Sequence, residues 1–243
     1  MRRNYLAVAF GLIAVGCSVP RPEQFKEDKP LYEHALKLFN EKEYEEAIPF
    51  FESLRNRFPQ SPYAIHSEMK IADARFEKAD YAEAEVEYQS FRSLHPTHSK
   101  ITHVVFRIGL CHYKQAPKTV DRDQVHTERA IELFQELIAK WPAAPEAKEA
   151  EPLLAKCRRA LVERDLYVAN FYLRHKQYEA ALVRLRDLQT KTEFPELNAE
   201  IRYKLGYAYY KLKDKDQARK ILRDVADDPK SGEFAGKAME LLK

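Results

Sequence analysis

Residues 44–59 read YEEAIPFFESLRNRFP, and residues 81–96 read YAEAEVEYQSFRSLHP. The two segments share one spacing: Tyr44, Ala47, Phe51, Leu54 and Pro59 in the first, Tyr81, Ala84, Tyr88, Phe91 and Pro96 in the second. Steps of four and seven from the Ala fall on a single stripe of an α-helix. The closing Pro stops that helix, because it lacks the N–H that the next turn needs. Fainter copies stand at Ala130, Phe134, Leu137 and Pro142, and at Tyr178, Ala181, Leu185 and Leu188. The last is at Ala218, Leu222 and Val225, with Pro229 one residue early.

Upstream of each copy lies a second helical pattern with a small residue at its centre: Ala35, Ala72, Gly109, Ala169 and Gly206. A glycine inside a helix costs about 1 kcal/mol relative to Ala, so two glycines in this slot point to helices that must approach closely. Small residues on facing helices with an aromatic below resemble the tetratricopeptide repeat. The expectation is an all-α solenoid of five helix pairs in a right-handed superhelix. A capping helix from about Gly232 to Lys243, started by Ser231, would cover the last pair. No period-two pattern suggests a strand.

The Ala-to-Ala intervals are 37, 46, 51 and 37 residues, against about 34 for the repeat, and the excess locates two insertions. One is the polar connector KQAPKTVDRDQVHT at 114–127. The other, between Pro142 and Asp165, has the length for an extra stretch of helix opened by Pro145 and kinked at Pro152. Pro49 is expected near the fourth or fifth residue of its helix, where losing an N–H is nearly tolerable, and Ser61-Pro62 reads as an N-cap followed by Pro.

Met1-Arg2-Arg3, the apolar run from Tyr5 to Gly16 and then Cys17 read as an export signal over residues 1–16. The run is twelve residues, too short for the roughly 20 that span a bilayer. Ala14-Val15-Gly16-Cys17 resembles the bacterial lipobox, with Ala14 where Leu is usual, so Cys17 is the expected site of lipidation. Ser18 after it resembles the outer-membrane sorting choice, on the periplasmic side. Residues 17–30 are rich in Pro and charge and are expected to form an extended tether. Removal of Arg2 and Arg3 leaves 39 basic against 38 acidic residues. That balance excludes nucleic acid as a partner, because phosphate binding needs a concentrated basic surface. Cys111 and Cys157 are two cysteines rather than a framework, and read as small buried residues.

There is no Walker loop, GxGxxG, GxSxG or HExxH, so the chain is expected to be neither an enzyme nor a cofactor binder. His95, His98, His103, Cys111 and His112 cluster in sequence, but the first two lie in a turn and the last two on a helix, so no metal site is expected. What remains is surface. The groove-lining offsets of the repeat's first helix select Tyr32, Leu36 and Phe39, then Met69 and Phe76, then Phe106, Leu110 and Tyr113. Eight apolar side chains on a face expected to meet water suggest a peptide-binding groove. Phe76 and Tyr113 are the expected stacking residues.

FPQSPYA at 58–64, HPTHS at 95–99, DRDQ at 121–124 and ERDLYVANFYLRHKQYEAALVRL at 163–185 resemble the BamD family, lipoprotein subunits of the machine that folds β-barrels into the bacterial outer membrane. The resemblance covers about residues 25–230. It implies a lipid on Cys17 holding the chain to the inner leaflet of the outer membrane, at its periplasmic face. It implies that repeats one to three, residues 31–142, receive unfolded outer-membrane proteins through a C-terminal strand ending in an aromatic residue. Repeats four and five with the cap, residues 143–243, would dock on the POTRA domains of a BamA-like barrel subunit, beside other assembly lipoproteins. Arg184 matches the family arginine that meets an acidic residue there. By helical position it stands at the rim of the arc of Ala181, Leu185 and Leu188, with an internal bridge to Asp165 or Asp187 as its other reading. The alternative function, a periplasmic repeat protein coordinating cell-wall synthesis with division, would carry a coiled coil before its repeats, and no heptads precede Pro30.

One acyl chain holds a protein to a membrane only marginally, whereas several anchor it stably. Cys17→Ala is therefore expected to abolish incorporation of labelled fatty acid and release the chain from membranes. An unmutated chain that takes up no label would sink the lipoprotein reading.

Overall fold

The computed structural model of the chain describes residues 20–191 and 193–243. The export signal and Cys17 lie outside them. The described residues form eleven α-helices, two short 3₁₀ turns and no strand. In order these are α1 Asp28–Asn40, α2 Tyr44–Arg57, α3 Pro62–Glu77, α4 Tyr81–Leu94, α5 Ile101–Gln115, α6 Val125–Lys140, α7 Pro145–Arg174, α8 Tyr178–Lys191, α9 Pro195–Lys211, α10 Lys215–Ala226 and α11 Glu233–Leu242. The expected five helix pairs and capping helix are present, the cap α11 lying against α9 and α10. No helix of the described residues is long and apolar enough to cross a membrane.

Two compact units divide between Ala74 and Arg75, inside α3. In the first, Leu31, Ala35, Ala47, Phe51 and Leu54 form a core with Ala64 and Ile71 of α3. In the second, the residues of the repeated stripe are again the buried ones: Ala84, Tyr88 and Phe91, then Ala130, Phe134 and Leu137, then Ala181, Leu185 and Leu188, then Ala218, Leu222 and Val225. The sequence period thus predicts the core residue by residue. Removing one such aromatic or Leu side chain from water contributes about 1.5–3 kcal/mol.

The small residues do what their slot requires. A Cβ on Gly109 would lie 2.6 Å from the fully buried Phe134 ring, and one on Gly206 would lie 2.8 Å from Leu222. Seven residues after the small residue, the chain turns. Lys42, Ala79, Lys176 and Lys213 all have φ between 60° and 66°. Around each, the same two hydrogen bonds close the preceding helix. At the first, Lys42 N donates to Phe39 O at 3.0 Å and Glu43 N to Leu38 O at 2.9 Å. At the last, Lys213 N donates to Tyr210 O and Asp214 N to Tyr209 O, both at 3.1 Å. This is the Schellman closure, which usually recruits glycine. Here four non-glycine residues fill it. Repeat three lacks it, because the connector begins at Ala116 with extended backbone.

Several local expectations are corrected. The segment before α1 is not wholly extended. Pro22–Gln24 form a 3₁₀ turn, and Phe25 packs 5.9 Å from the Phe50 ring. Arg57 holds the segment in place by donating to Pro22 O at 2.9 Å and to Phe25 O at 2.7 Å. Helix α1 starts at Asp28 rather than after Pro30, since a Pro third in a helix loses no intrahelical bond. Pro49 is the sixth residue of α2, past the first turn, so its missing bond to Glu45 falls on a face where both residues are exposed to water. Ser61 is a cap, its Oγ accepting from Tyr63 N at 3.1 Å. Ser231 is not: it is buried in a 3₁₀ turn, and Gly232, with φ +53°, takes the N-cap position of α11. The inserted helix after Pro142 is continuous with the inner helix of repeat four, giving the 30-residue α7, unbroken at the exposed Pro152.

The two glycine environments make opposite predictions. Overpacking costs about 1–3 kcal/mol and the helix-propensity gain returns about 1 kcal/mol. Gly109→Ala should therefore destabilise the chain by about 1 kcal/mol, because the fully buried Phe134 ring would have to shift. Gly236, inside α11 with nothing within 4 Å of its would-be Cβ, should give a gain of up to about 1 kcal/mol on change to Ala. Denaturant titration of both variants checks this, and equal signs would refute the close-approach account.

Candidate interaction surfaces

The eight expected groove residues fall into two sets, one in each compact unit. In the first unit, Tyr32, Leu36 and Phe39 of α1 are half-buried, and Met69 is buried. Tyr32 stacks on Tyr63 at 4.8 Å. Phe39 meets the edge of Tyr44 at 5.2 Å, and Lys70 Nζ stands 4.2 Å over its ring. Phe25 contacts His34 and Phe50, not these rings.

In the second unit Phe76 is only 9% exposed. Tyr81 meets its ring at 5.2 Å, and the Arg107 guanidinium stands 4.3 Å over it. Phe39, Tyr44 and Lys70 become Phe76, Tyr81 and Arg107 by one translation of 37 residues. A cation seated on a ring that a tyrosine edge also packs is a structural cluster, built twice. Phe76 is therefore not an open stacking surface, and that expectation is corrected. Phe106 is likewise buried, 6.1 Å from the Phe134 ring. Leu110 and Tyr113 stay half-buried. Of the expected stacking pair, Tyr113 alone is accessible.

Tyr113 borders a cavity of about 450 Å³ with Lys114, Ala116, Pro117, Lys118, Thr127, Lys156, Cys157 and Ala160. Beside it, the buried His112 has Nδ1 3.1 Å from His126 Nδ1 and Nε2 3.1 Å from Glu85 Oε1. Burial pulls the His112 pKa down, Glu85 opposes that, and His126 and Arg129 reinforce it. A neutral ring can present Nε2–H to Glu85 and accept from His126 at Nδ1. Cys111 and Cys157 are free and buried, and burial pushes their thiols up to about 12 and about 11, so neither supplies a thiolate at neutral pH. His95 and His98 pack on Phe91 at 4.8 and 5.2 Å, apart from His112. Among the described residues no three His, Cys, Asp or Glu side chains are placed to hold a metal ion.

In the C-terminal repeats Arg184 is exposed. Asp165, one of its expected internal partners, pairs instead with Arg164 at 2.9 Å, and no ion pair to Arg184 occurs among the described residues. A further aromatic surface was not expected. Tyr203, Tyr207 and Tyr210 of α9 stand at the same offsets from Gly206 as Tyr32, Leu36 and Phe39 from Ala35. Tyr203 and Tyr207 lie 6.4 Å apart. Lys211 Nζ is 5.2 Å from the Tyr207 ring and 5.7 Å from that of Tyr210, which is 46% exposed. The offset rule applied to repeats one to three finds this trio when carried to repeat five.

The comparisons agree with this architecture. A family model described as an outer membrane lipoprotein (YfiO) matches residues 24–200, and a tetratricopeptide-repeat model matches residues 172–238. The outer membrane protein assembly factor BamD of Neisseria gonorrhoeae is 27% identical, covering 95% of this chain and 93% of its own length. The protein of the same name from Vibrio cholerae is 29% identical over 78% of this chain and 83% of its own. That from Caulobacter vibrioides is 22% identical over 88% and 72%.

The His112 environment fixes a pH dependence. Its folded pKa lies below the ordinary 6.5, so between the two values the unfolded chain binds more protons, and stability falls as pH falls. His34, lowered first by burial and then by Lys37, acts with the same sign. Melting temperature should drop between about pH 7 and pH 5, and His112→Gln should flatten part of that slope. An unchanged slope in the variant would remove His112 as its source.

Proposed function

Because the chain belongs to the YfiO family of outer membrane lipoproteins, we propose that it is a non-enzymatic scaffold of outer-membrane β-barrel assembly, lipid-anchored through Cys17 at the periplasmic face. The observation that carries this reading is the family match, which runs through repeats one to four and into α9. Repeats one to three, residues 31–142, receive unfolded outer-membrane proteins. Tyr32, Leu36 and Phe39 in the first unit, and Leu110 and Tyr113 in the second, are half-buried rather than sealed, as contacts with transient extended segments require. Met69, Phe76 and Phe106, the other expected groove residues, are buried.

Residues 143–243 dock on the POTRA domains of a BamA-like barrel subunit, with accessory lipoproteins alongside. Arg184 is suited to that junction. It is exposed without an ion pair among the described residues, and its fork can hold a carboxylate bidentately.

A charge reversal tests the junction. Arg184→Glu should move the isolated chain's stability by no more than about 0.5 kcal/mol, since the side chain supports nothing internal. It should weaken the complex by several kcal/mol, because like charges would then face each other. Pull-down from detergent-solubilised outer membrane should lose the large barrel subunit, and an acidic-to-basic change in that partner should restore it. Undiminished co-purification, or a large fall in the melting temperature of the isolated chain, would make Arg184 irrelevant to docking.

A further inference from the structure

The segment before α1 adds little to the core of the first unit, yet it is fastened to that unit. Among the described residues before α1, Phe25 alone packs against the core, its ring 5.9 Å from that of Phe50 and 5.1 Å from that of His34. The fastening comes from Arg57, the last residue of α2. Its Nη1 donates to Pro22 O at 2.9 Å and its Nη2 to Phe25 O at 2.7 Å. Pro22 O also accepts from Phe25 N at 3.2 Å, and Arg21 N donates to Gln24 Oε1 at 3.3 Å, so the guanidinium grips a turn that is already closed. From its own side the guanidinium is oriented by Ser53 Oγ, which accepts from Nη1 at 3.3 Å, and by the Phe58 ring at 5.2 Å. Bonds from a charged donor are roughly twice as strong as neutral ones. Close by, Ser61 Oγ donates to Asp28 Oδ2 at 2.6 Å, tying the start of α1 to the turn after α2.

The repeat itself does not call for this clasp. One translation of 37 residues carries Tyr44 to Tyr81 but Arg57 to Leu94, and Leu94 is exposed. The clasp belongs to the end of the chain that leads to Cys17, and there it sets a length. From Cys17 to Pro22 is five residues, at most about 17 Å of extended chain. Without the clasp the chain would be free as far as Asp28, eleven residues from Cys17, or about 38 Å. Arg21 is extended, with φ −111° and ψ 148°, as a residue before proline prefers, so the chain enters the clasp straight.

We propose that the end of the first unit formed by Pro22–Gln24, the start of α1 and the turn after α2 is the chain's membrane-facing surface, and that Arg57 keeps it there by shortening the tether. Its partner is the headgroup layer of the leaflet that carries the anchor. The inference rests on the proposal that Cys17 bears the lipid, and adds which surface that lipid holds at the membrane and which residue sets the distance. In every orientation that the tether allows, this end stays within its reach, while the opposite end of α2 swings free. Charge does not supply the attraction: among residues 21–29, Arg21, Lys26 and Lys29 stand against Glu23, Glu27 and Asp28. The effect is one of effective concentration, which falls as the free tether lengthens.

The test uses the full-length chain in vesicles of phosphatidylethanolamine and phosphatidylglycerol with an acceptor dye on a lipid headgroup. A donor dye is attached at Gln60→Cys or at Glu43→Cys, exposed positions on either side of α2, separated by its length of roughly 20 Å. Cys111 and Cys157 are buried with thiols pushed up to about 12 and about 11, so at neutral pH the dye goes to the introduced cysteine. Energy transfer should be several-fold more efficient from position 60 than from position 43. Arg57→Gln should remove most of that difference. So should a Gly-Ser insertion between Ser18 and Val19 that leaves Arg57 intact. The insertion touches neither clasp nor core, so its effect cannot come from misfolding. Equal transfer from the two positions in the unaltered chain would overturn the proposal, and so would a difference that survives either variant. Labelled fatty acid is followed in the same samples. A chain that carries label but shows no difference overturns the membrane-facing surface and leaves the lipid reading standing, whereas a chain without label overturns both.

Discussion

The structure depends on how closely the inner and outer helices of each pair can approach. At Gly109 the margin is so small that one methyl group would overlap the Phe134 ring, and at Gly206 it would overlap Leu222. A fixed approach sets where the aromatic of the outer helix lands, and hence which stripe is buried. It also fixes where the inner helix must end. Seven residues on, the chain leaves that helix through a left-handed residue in four of the five repeats. None of the four is glycine, and each carries a conformational cost of about 1–2 kcal/mol. Their persistence at one register follows from the two helices on either side, which over-determine the turn.

Once turn and approach repeat, side-chain clusters repeat with them. Phe39, Tyr44 and Lys70 reappear as Phe76, Tyr81 and Arg107, each triad a ring with a tyrosine edge on one side and a cation above it. The cation comes in both cases from the inner helix of the next repeat, two residues before its small residue. The cluster therefore links neighbouring repeats as well as filling space. Its third copy is interrupted, because the connector replaces the tight turn and Thr127 stands where Tyr44 and Tyr81 do. The freed Tyr113 then borders a cavity instead of a packed ring. The break in the pattern and the opening of the cavity are one event.

The parts legible in the sequence are those governed by helical period. The buried stripe, the small-residue slots, the number of pairs and the sites of both insertions all follow from spacing, and all fifteen stripe residues are buried. What was not legible depends on partners distant in sequence. Phe76 has the offset of a groove residue, but Tyr81 and, from the next inner helix, Arg107 cover it. Phe25 sits in a segment of tether-like composition, and its packing on Phe50 depends on Arg57 gripping the backbone before α1. Ser231 has the chemistry of an N-cap, yet burial turns it inward and the positive φ of Gly232 opens α11. The four left-handed turns carry no glycine to announce them. The α9 tyrosines, by contrast, were within reach of the offset rule already in use.

For a scaffold, these features bear on how binding free energy is assembled. Association must overcome the ordering of side chains, roughly 0.5–1.5 kcal/mol for each flexible one immobilised. In each unit rings of the inner helices are already held, Phe39 by Tyr44 and Lys70 in the first, Phe76 by Tyr81 and Arg107 and Phe106 against Phe134 in the second. Tyr32 and Leu36 in the first unit, and Leu110 and Tyr113 in the second, stay half-exposed. Tyr32 is itself stacked on Tyr63, which leaves one face of its ring to offer. Where the repeats are regular their rings are packed, and where the connector interrupts them Tyr113 is left beside a cavity bordered by Lys114, Lys118 and Lys156.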